Sequence, residues 1–276
     1  MPELPEAEVV VRQLQARLPG AIIKDCWISR PDIVRRGLKS LDWYRGARIE
    51  EITRHGKAAV LRLSRQRETR YLVVELGMTG LLFFQPPDPG YHKHTHLVLC
   101  LDRSPEPELR YWNARRFGRV YLLEGGALAA FLRRRFGCDP LAVRLEDFVR
   151  LVKARRGRLK ALLLHQQKIA GIGNIYANEI LYRARVHPHA KGNRLSRATV
   201  ERLYEAMRAV LEEAIACGGS TIRDFLAPDG TAGRFQERHL VYAKAGRACP
   251  AGCGGTIQRL RGERSSFYCR RCQRRR

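Results

Sequence analysis

Ala58-Ala59-Val60-Leu61-Arg62-Leu63 and Tyr71-Leu72-Val73-Val74-Glu75-Leu76 are short apolar runs parted by the polar stretch Ser64–Arg70. Runs of this length, bounded by charged and turn-forming residues, read as strands rather than helices. Outward from them lie four more: Leu81–Phe84, His96–Leu101, Leu109–Trp112 and Val120–Leu123. Gly, Pro, Asp and charged residues separate them, the pattern of an antiparallel sandwich or barrel. Trailing helices begin near Leu128, Asp139-Pro140 punctuates an interdomain linker, and from Leu145 the period is helical. The clearest helix takes Ser196 as N-cap, runs through Val200, Leu203, Met207, Val210, Leu211 and Ile215, and stops at Gly218-Gly219. The fold class expected is α+β. No internal repeat is evident.

Composition narrows the partners. A chain of 276 residues, 45% hydrophobic, can bury a real core and form two domains. Lys and Arg number 52 against 27 Asp and Glu, a net charge of +25, which points to a polyanion. An anionic membrane surface competes, but no basic amphipathic helix with a large aromatic face is present. No run of eighteen apolar residues and no secretory leader are seen, so a cytoplasmic protein with reduced cysteines is expected. Cys26, Cys100, Cys138 and Cys217 are scattered and read as small hydrophobes.

The N-terminus, Met1-Pro2-Glu3-Leu4-Pro5-Glu6, carries the sharpest chemistry. Removal of the initiator Met is expected beside so small a residue as Pro2, leaving a secondary α-amine next to Glu3 and Glu6. An α-amine titrates near ~8 and a lysine near ~10.4, so at pH 7 roughly 10% of the first is neutral against roughly 0.04% of the second. The neutral amine attacks a carbonyl-like carbon and yields an iminium, and a nearby carboxyl group can supply the proton. The plainer reading is a helix start, with Pro5 in its first position, Glu6 and Glu8 at its positive end, and Val9, Val10 and Leu14 as its buried stripe.

Other stretches are suggestive singly. Lys57 follows Arg54-His55-Gly56 at a turn before a strand. His94-Thr95-His96 places two imidazoles on one side of a strand, suited to the surface or to a phosphate rather than to a metal. Arg115-Arg116-Phe117-Gly118 sets arginines and an aromatic in a turn, one way to unstack a base pair. Leu159–Gln166 and Asn174–Arg183 read as helices around the glycine turn Ile169–Gly173. Free N–H groups there, with Arg150, Lys153, Arg155, Arg156, Arg158 and Lys160 nearby, suit a phosphate. Most specific is Cys249-x₃-Cys253 with Cys269-x₂-Cys272: two thiolate pairs around a hairpin-length interval, the requirement of one tetrahedral structural zinc.

Taken together, these stretches resemble the formamidopyrimidine-DNA glycosylases, bacterial base-excision enzymes that remove oxidised purines. The motifs run end to end: Met1–Glu6, Leu76-Gly77-Met78-Thr79-Gly80, Arg115–Gly118, Ala170–Glu179, Gly218-Gly219-Ser220-Thr221 and Tyr268–Gln273. The resemblance implies an N-terminal β-sandwich (1–133), a linker (134–144), a helix–two-turn–helix domain (145–240) and a zinc finger (241–276), with DNA held between the domains. It implies a monomer acting on double-stranded DNA that carries oxidised bases or abasic sites. By motif position Pro2 is the nucleophile, Glu3 the acid, Glu6 a supporting carboxylate, Lys57 the β-elimination lysine and Arg264 the δ-elimination arginine. Met78, Arg115 and Phe117 match the triad that fills the gap left by a flipped base. His94, Arg115, Arg155, Lys160 and Asn174 match or adjoin DNA-contacting positions.

Three departures stand out: the x₃ spacing in place of x₂, Asn113-Ala114 in place of an Asp before the arginines, and His165 in place of Asp. Relatives of the endonuclease VIII type prefer oxidised pyrimidines and shorten the loop after Gly218-Gly219. Here Ser220–Phe235 is full length, which favours oxidised purines. A non-catalytic zinc-dependent nucleic-acid-binding protein is the alternative of another class.

Overall fold

The computed structural model describes residues 2–86, 89–103, 106–262 and 264–274. It is α+β and divides into two compact units, 1–134 with 217–236, and 135–216 with 237–276. No helix among the described residues is long and apolar enough to cross a membrane.

Unit one opens with α1 (Leu4–Arg17), whose buried face is Leu4, Ala7, Val10, Val11 and Leu14. Val11 therefore takes the place expected of Val9, because the stripe follows Leu4, Ala7 and Val11 at three- and four-residue steps. A five-stranded sheet has the order β2 (Val34–Arg36), β9 (Arg119–Glu124), β5 (Glu68–Glu75), β4 (Ala58–Arg65), β3 (Arg48–His55). A four-stranded sheet has the order β1 (Ile23–Ile28), β7 (Thr95–Leu101), β8 (Glu108–Trp112), β6 (Leu81–Phe83). All these pairs are antiparallel except β2 with β9, so the expected antiparallel sandwich carries one parallel edge. One core joins α1 and both sheets, through Leu14, Ile23, Ile52, Leu61, Leu72, Phe83, Leu99 and Tyr111 among others. A short helix, α2 (Leu128–Arg135), follows the last strand.

The sequence reading keeps the helical domain continuous from 145 to 240, but the structure returns Cys217–Gln236 to unit one. Apolar and polar anchors hold it there: Phe225 enters the core, and Phe84 N–H donates to Pro228 O at 3.0 Å. Unit two holds α3 (Leu145–Lys153), α4 (Leu159–Leu164), α5 (Asn174–Arg183), α6 (Arg197–Ala216) and the hairpin β10 (Ile257–Leu260) with β11 (Ser266–Cys269). The finger is thus part of unit two. Its small core of Val241, Ile257, Phe267 and Cys269 includes Tyr182 of α5.

Candidate active site and metal centre

The N-terminal turn is built by the first residues of α1. Glu3 is the N-cap in extended backbone, and Glu6, three residues on, returns Oε2 to the Glu3 N–H at 2.7 Å. With the Glu3 side chain accepting the Glu6 N–H in return, this is a complete capping box; it satisfies N–H groups that the helix cannot. The other oxygen of Glu6 accepts the Ser220 N–H at 2.7 Å. One fully buried carboxylate therefore joins the turn beside Pro2 to the start of the returning segment. Gly219 is required next to it: φ is +82°, and a Cβ there would stand 2.9 Å from Glu6 Oε1. Pro2 and Glu3 are buried, and Met1 lies outside the described residues. Pro2, Glu3 and Glu6 are thus brought together.

Lys57 is half-buried in the two-residue turn between β3 and β4, whose last pair is His55 with Ala58. Its carbonyl accepts the Leu76 N–H at 3.2 Å, tying the turn to the chain that leads into Gly77-Met78-Thr79-Gly80.

The Met78 loop and the Arg115–Phe117 loop are held as one body by Asn113, which is fully buried. Its Oδ1 accepts from Thr79 Oγ1 at 2.8 Å and from the Arg116 N–H at 3.1 Å. Its Nδ2 donates to Tyr111 OH at 2.7 Å, and that hydroxyl donates to Glu75 O at 3.1 Å. Thr79 Oγ1 also accepts the Arg115 N–H at 3.2 Å. Gly77 (φ +65°) and Gly118 permit the close approach, since a Cβ on Gly118 would stand 1.8 Å from Tyr111 OH. On this base Phe117 projects with 56% exposure, and the Arg115 guanidinium lies over its ring at 5.0 Å. Met78, in the loop that Thr79 ties to this base, is half-buried. His94 is half-buried and its carbonyl accepts the Asn113 N–H. His96 is not at the surface, against expectation: it is buried, its Nε2 meets Asn113 O at 3.1 Å, and burial holds its imidazole below the usual range.

In unit two, Asn174 opens α5 after the turn at Gly171 (φ +99°), where Gln166 accepts the Gly171 N–H and donates to Leu164 O and Ile172 O. Arg155 is half-buried and its Nε has no hydrogen-bond partner among the described residues. Lys160 is only 5% exposed, and its Nζ donates to Ser265 O at 2.8 Å and Ser266 Oγ at 2.9 Å. It is thus anchored to the finger hairpin. A cavity of about 590 Å³ is lined by Arg158, Lys160, His165, His189, Arg261 and Arg264, so Arg264 and Lys160 share one cationic wall.

The four cysteines converge. All four Sγ atoms lie within 4.8 Å of one another, with Cys249 to Cys272 at 3.7 Å and Cys253 to Cys269 at 3.5 Å. Those separations are too long for disulfides, and a tetrahedral Zn–S shell of ~2.3 Å bonds requires S···S of roughly 3.8 Å. The donor set therefore fits one tetrahedral ion. Donation from the Gly255 N–H pulls the Cys253 thiol down to about 7, while burial pushes the Cys269 and Cys272 thiols up.

The model of the formamidopyrimidine-DNA glycosylase N-terminal domain matches residues 1–120, and that of the formamidopyrimidine-DNA glycosylase H2TH domain matches 136–226. The chain belongs to the formamidopyrimidine-DNA glycosylase family. A formamidopyrimidine-DNA glycosylase of Novosphingobium aromaticivorans is 42% identical, over 99% of this chain and 100% of the relative. Among solved structures, Lactococcus lactis Fpg in complex with DNA containing an abasic site has a TM-score of 0.87. It is 30% identical, and the match covers 99% of this chain and 100% of that one. A variant of the same protein with DNA containing Fapy-dG matches with the same TM-score, identity and coverage.

Within this formamidopyrimidine-DNA glycosylase chain the departures have local accounts. The x₃ knuckle closes as a turn, with the Gly252 N–H donating to Cys249 O at 3.1 Å, and Gly252 (φ +65°) and Gly254 (φ +70°) absorb the extra residue. Asn113 is the hub of the wedge loops. His165 ends α4: its N–H donates to Leu162 O and its carbonyl accepts from Lys168 and Ile169. Two residues of the Ala170–Glu179 motif, to which the sequence assigned no role, bind the finger to α5. Asn178 Oδ1 accepts the Phe267 N–H at 2.7 Å, and Glu179 accepts N–H groups of Leu240, Val241 and Tyr242. Burial pushes the Glu179 carboxyl up and the three donors pull it back. In the sequence they stand only as members of that motif, in a helix that also carries Asn174 and Arg183.

Proposed function

We propose that this protein excises oxidised purines, formamidopyrimidines and 8-oxoguanine, from duplex DNA and then cleaves the strand. The observation that carries this reading is the N-terminal turn. Pro2 is set beside two buried carboxyl groups, one of which also ties the turn to the full-length segment after Gly218-Gly219. The solved relatives with Fapy-dG and abasic-site DNA support the substrate class, and the charge of +25 supports a duplex partner.

Once Met1 is removed, the Pro2 amine attacks the sugar C1′ and displaces the damaged base, with Glu3 supplying the proton for ring opening. The product is a cationic iminium, which acidifies the C2′ proton. Loss of that proton expels the 3′ phosphate; a second elimination expels the 5′ phosphate, and water releases the amine. Lys57 serves the first elimination and Arg264 the second. Met78, Arg115 and Phe117 occupy the gap left by the everted nucleotide, offsetting an unstacking cost of a few kcal/mol. His94, Arg155, Lys160 and Asn174 hold backbone phosphates. Lys160 acts partly through the finger hairpin that it grips. One zinc ion on Cys249, Cys253, Cys269 and Cys272 would supply the cross-link that so small a core, completed by Tyr182 of α5, requires.

A gel assay on duplexes carrying 8-oxoguanine, a formamidopyrimidine, thymine glycol or an abasic site tests the reading. Cleavage of the first two above thymine glycol is expected. Preference for thymine glycol would favour the pyrimidine-specific alternative, and no cleavage of any would favour a binding protein.

A further inference from the structure

We infer that Arg54 is a positioning residue, a side chain that fixes the peptide of Lys57 relative to the N-terminal turn. The inference rests on the role proposed above for Lys57. Gly56 and Lys57 alone connect β3 to β4, and Gly56 adopts φ +57°. Two-residue connections with a glycine at positive φ in their first position follow strand twist closely. That fixes the turn, while the core and the bond from Gln15 Nε2 to Ile52 O at 2.6 Å hold β3 against α1. β3 is an edge strand with β4 as its sheet neighbour.

Arg54 adds a polar tie at the turn itself with the fork of its guanidinium. Nε donates to Glu8 Oε2 at 2.6 Å, and Nη1 donates to Gly56 O at 3.3 Å. Glu8 stands on α1, the helix whose N-cap is Glu3. The Gly56 carbonyl belongs to the peptide whose nitrogen is that of Lys57. A single cation therefore spans from the helix that bears the nucleophile to the peptide that bears the catalytic lysine. The Arg54 side chain is 8% exposed and that of Glu8 18%, so the pair is sheltered from screening. Burial raises the Glu8 carboxyl, but the bonds from Arg54 and Arg12 outweigh it and hold it below the usual carboxylate range. Lysine cannot replace the fork, because one ammonium on a flexible stem does not reproduce two diverging donors of fixed geometry. Glu8 stays paired when Arg54 is changed, since Arg12 Nε donates to its other oxygen at 2.8 Å. The fold has a partner in reserve.

The test is a double-mutant cycle read as single-turnover cleavage of an 8-oxoguanine duplex, with Arg54→Lys, Lys57→Ala and the double variant. Misplacement of a reacting group by about 1 Å costs on the order of 100-fold. Arg54→Lys is expected to slow the step by ~10-fold or more, with duplex affinity held within about twofold. In the Lys57→Ala background the same change is expected to have no further effect, because contacts acting through one group are not additive. Losses that multiply would overturn the inference while leaving the role of Lys57 intact. A Lys57→Ala protein as active as wild type would overturn the role of Lys57 first, and this inference with it. Glu8→Gln, which keeps Arg54, gives a second entry to the cycle if Arg54→Lys does not fold, and the same non-additivity is expected.

Discussion

Replacement of Asn113 by alanine should loosen the wedge without touching the nucleophile. The side chain makes three hydrogen bonds, accepting from Thr79 Oγ1 and the Arg116 N–H and donating to Tyr111 OH. At about 1 kcal/mol each, their loss amounts to roughly 3 kcal/mol, and more if a buried donor is left without a partner. For a unit of this size that corresponds to a fall in Tm of roughly 6–12 °C. Arg116 holds φ +54°, a conformation unfavourable for a side chain, and its N–H is shared between Asn113 Oδ1 at 3.1 Å and Asn113 O at 3.2 Å, of which alanine keeps only the second. Relaxation at this point displaces Arg115 and Phe117. Thermal unfolding by circular dichroism, with cleavage of a paired 8-oxoguanine duplex and of a pre-formed abasic duplex, reads both effects. The paired lesion should suffer more. A Tm within 2 °C of wild type, or equal losses on the two substrates, would refute the reasoning.

Further outcomes follow from the same geometry. Duplex binding should weaken with salt along a log–log slope of about −5 if six phosphates are neutralised, and a flat response on undamaged duplex would contradict it. Purified protein should contain one zinc per chain by elemental analysis. A Cys269→Ser, Cys272→Ser double variant should lose both metal and cleavage, and wild-type cleavage after exhaustive chelation would count against the centre. Arg115→Ala and Phe117→Ala should impair excision of a paired lesion more than cleavage at an abasic site, because the everted base costs a few kcal/mol only in the first case. Equal losses would assign these side chains to folding or general binding.

The sequence made the fold legible wherever apolar residues form an unbroken run or follow a simple period. β4 and β5 were readable as continuous apolar runs of strand length, α5 from the glycine turn before it, and α6 to within a residue because its apolar positions repeat at three to four. Arg48–His55 was not, since only Ile49 and Ile52 are buried and a register shift between Ile49 and Glu51 breaks the alternation. Ile23–Ile28 and Val34–Arg36 were missed for the same reason: both are edge strands carrying charged residues. In the candidate site, the cysteines and the N-terminal acids were legible because each set sits in a short motif. The Glu6 bond to Ser220 spans 214 positions, and the Arg54 grip on Glu8 spans 46. No local pattern encodes such contacts, nor did any mark Asn113 as a hub rather than a turn residue.

The central claim is the role of the Pro2 amine, and trapping measures it most directly. The protein is incubated with 8-oxoguanine duplex and a mild hydride reductant, which converts an iminium to a stable secondary or tertiary amine. A covalent adduct mapping to Pro2 is expected. In a protein with an N-terminal extension that turns this nitrogen into an amide, no adduct should form, because an amide nitrogen is no longer nucleophilic. Zinc content and duplex affinity should stay near wild type. Adduct formation by the extended protein at the wild-type rate, with attachment at a lysine such as Lys57, would contradict the account.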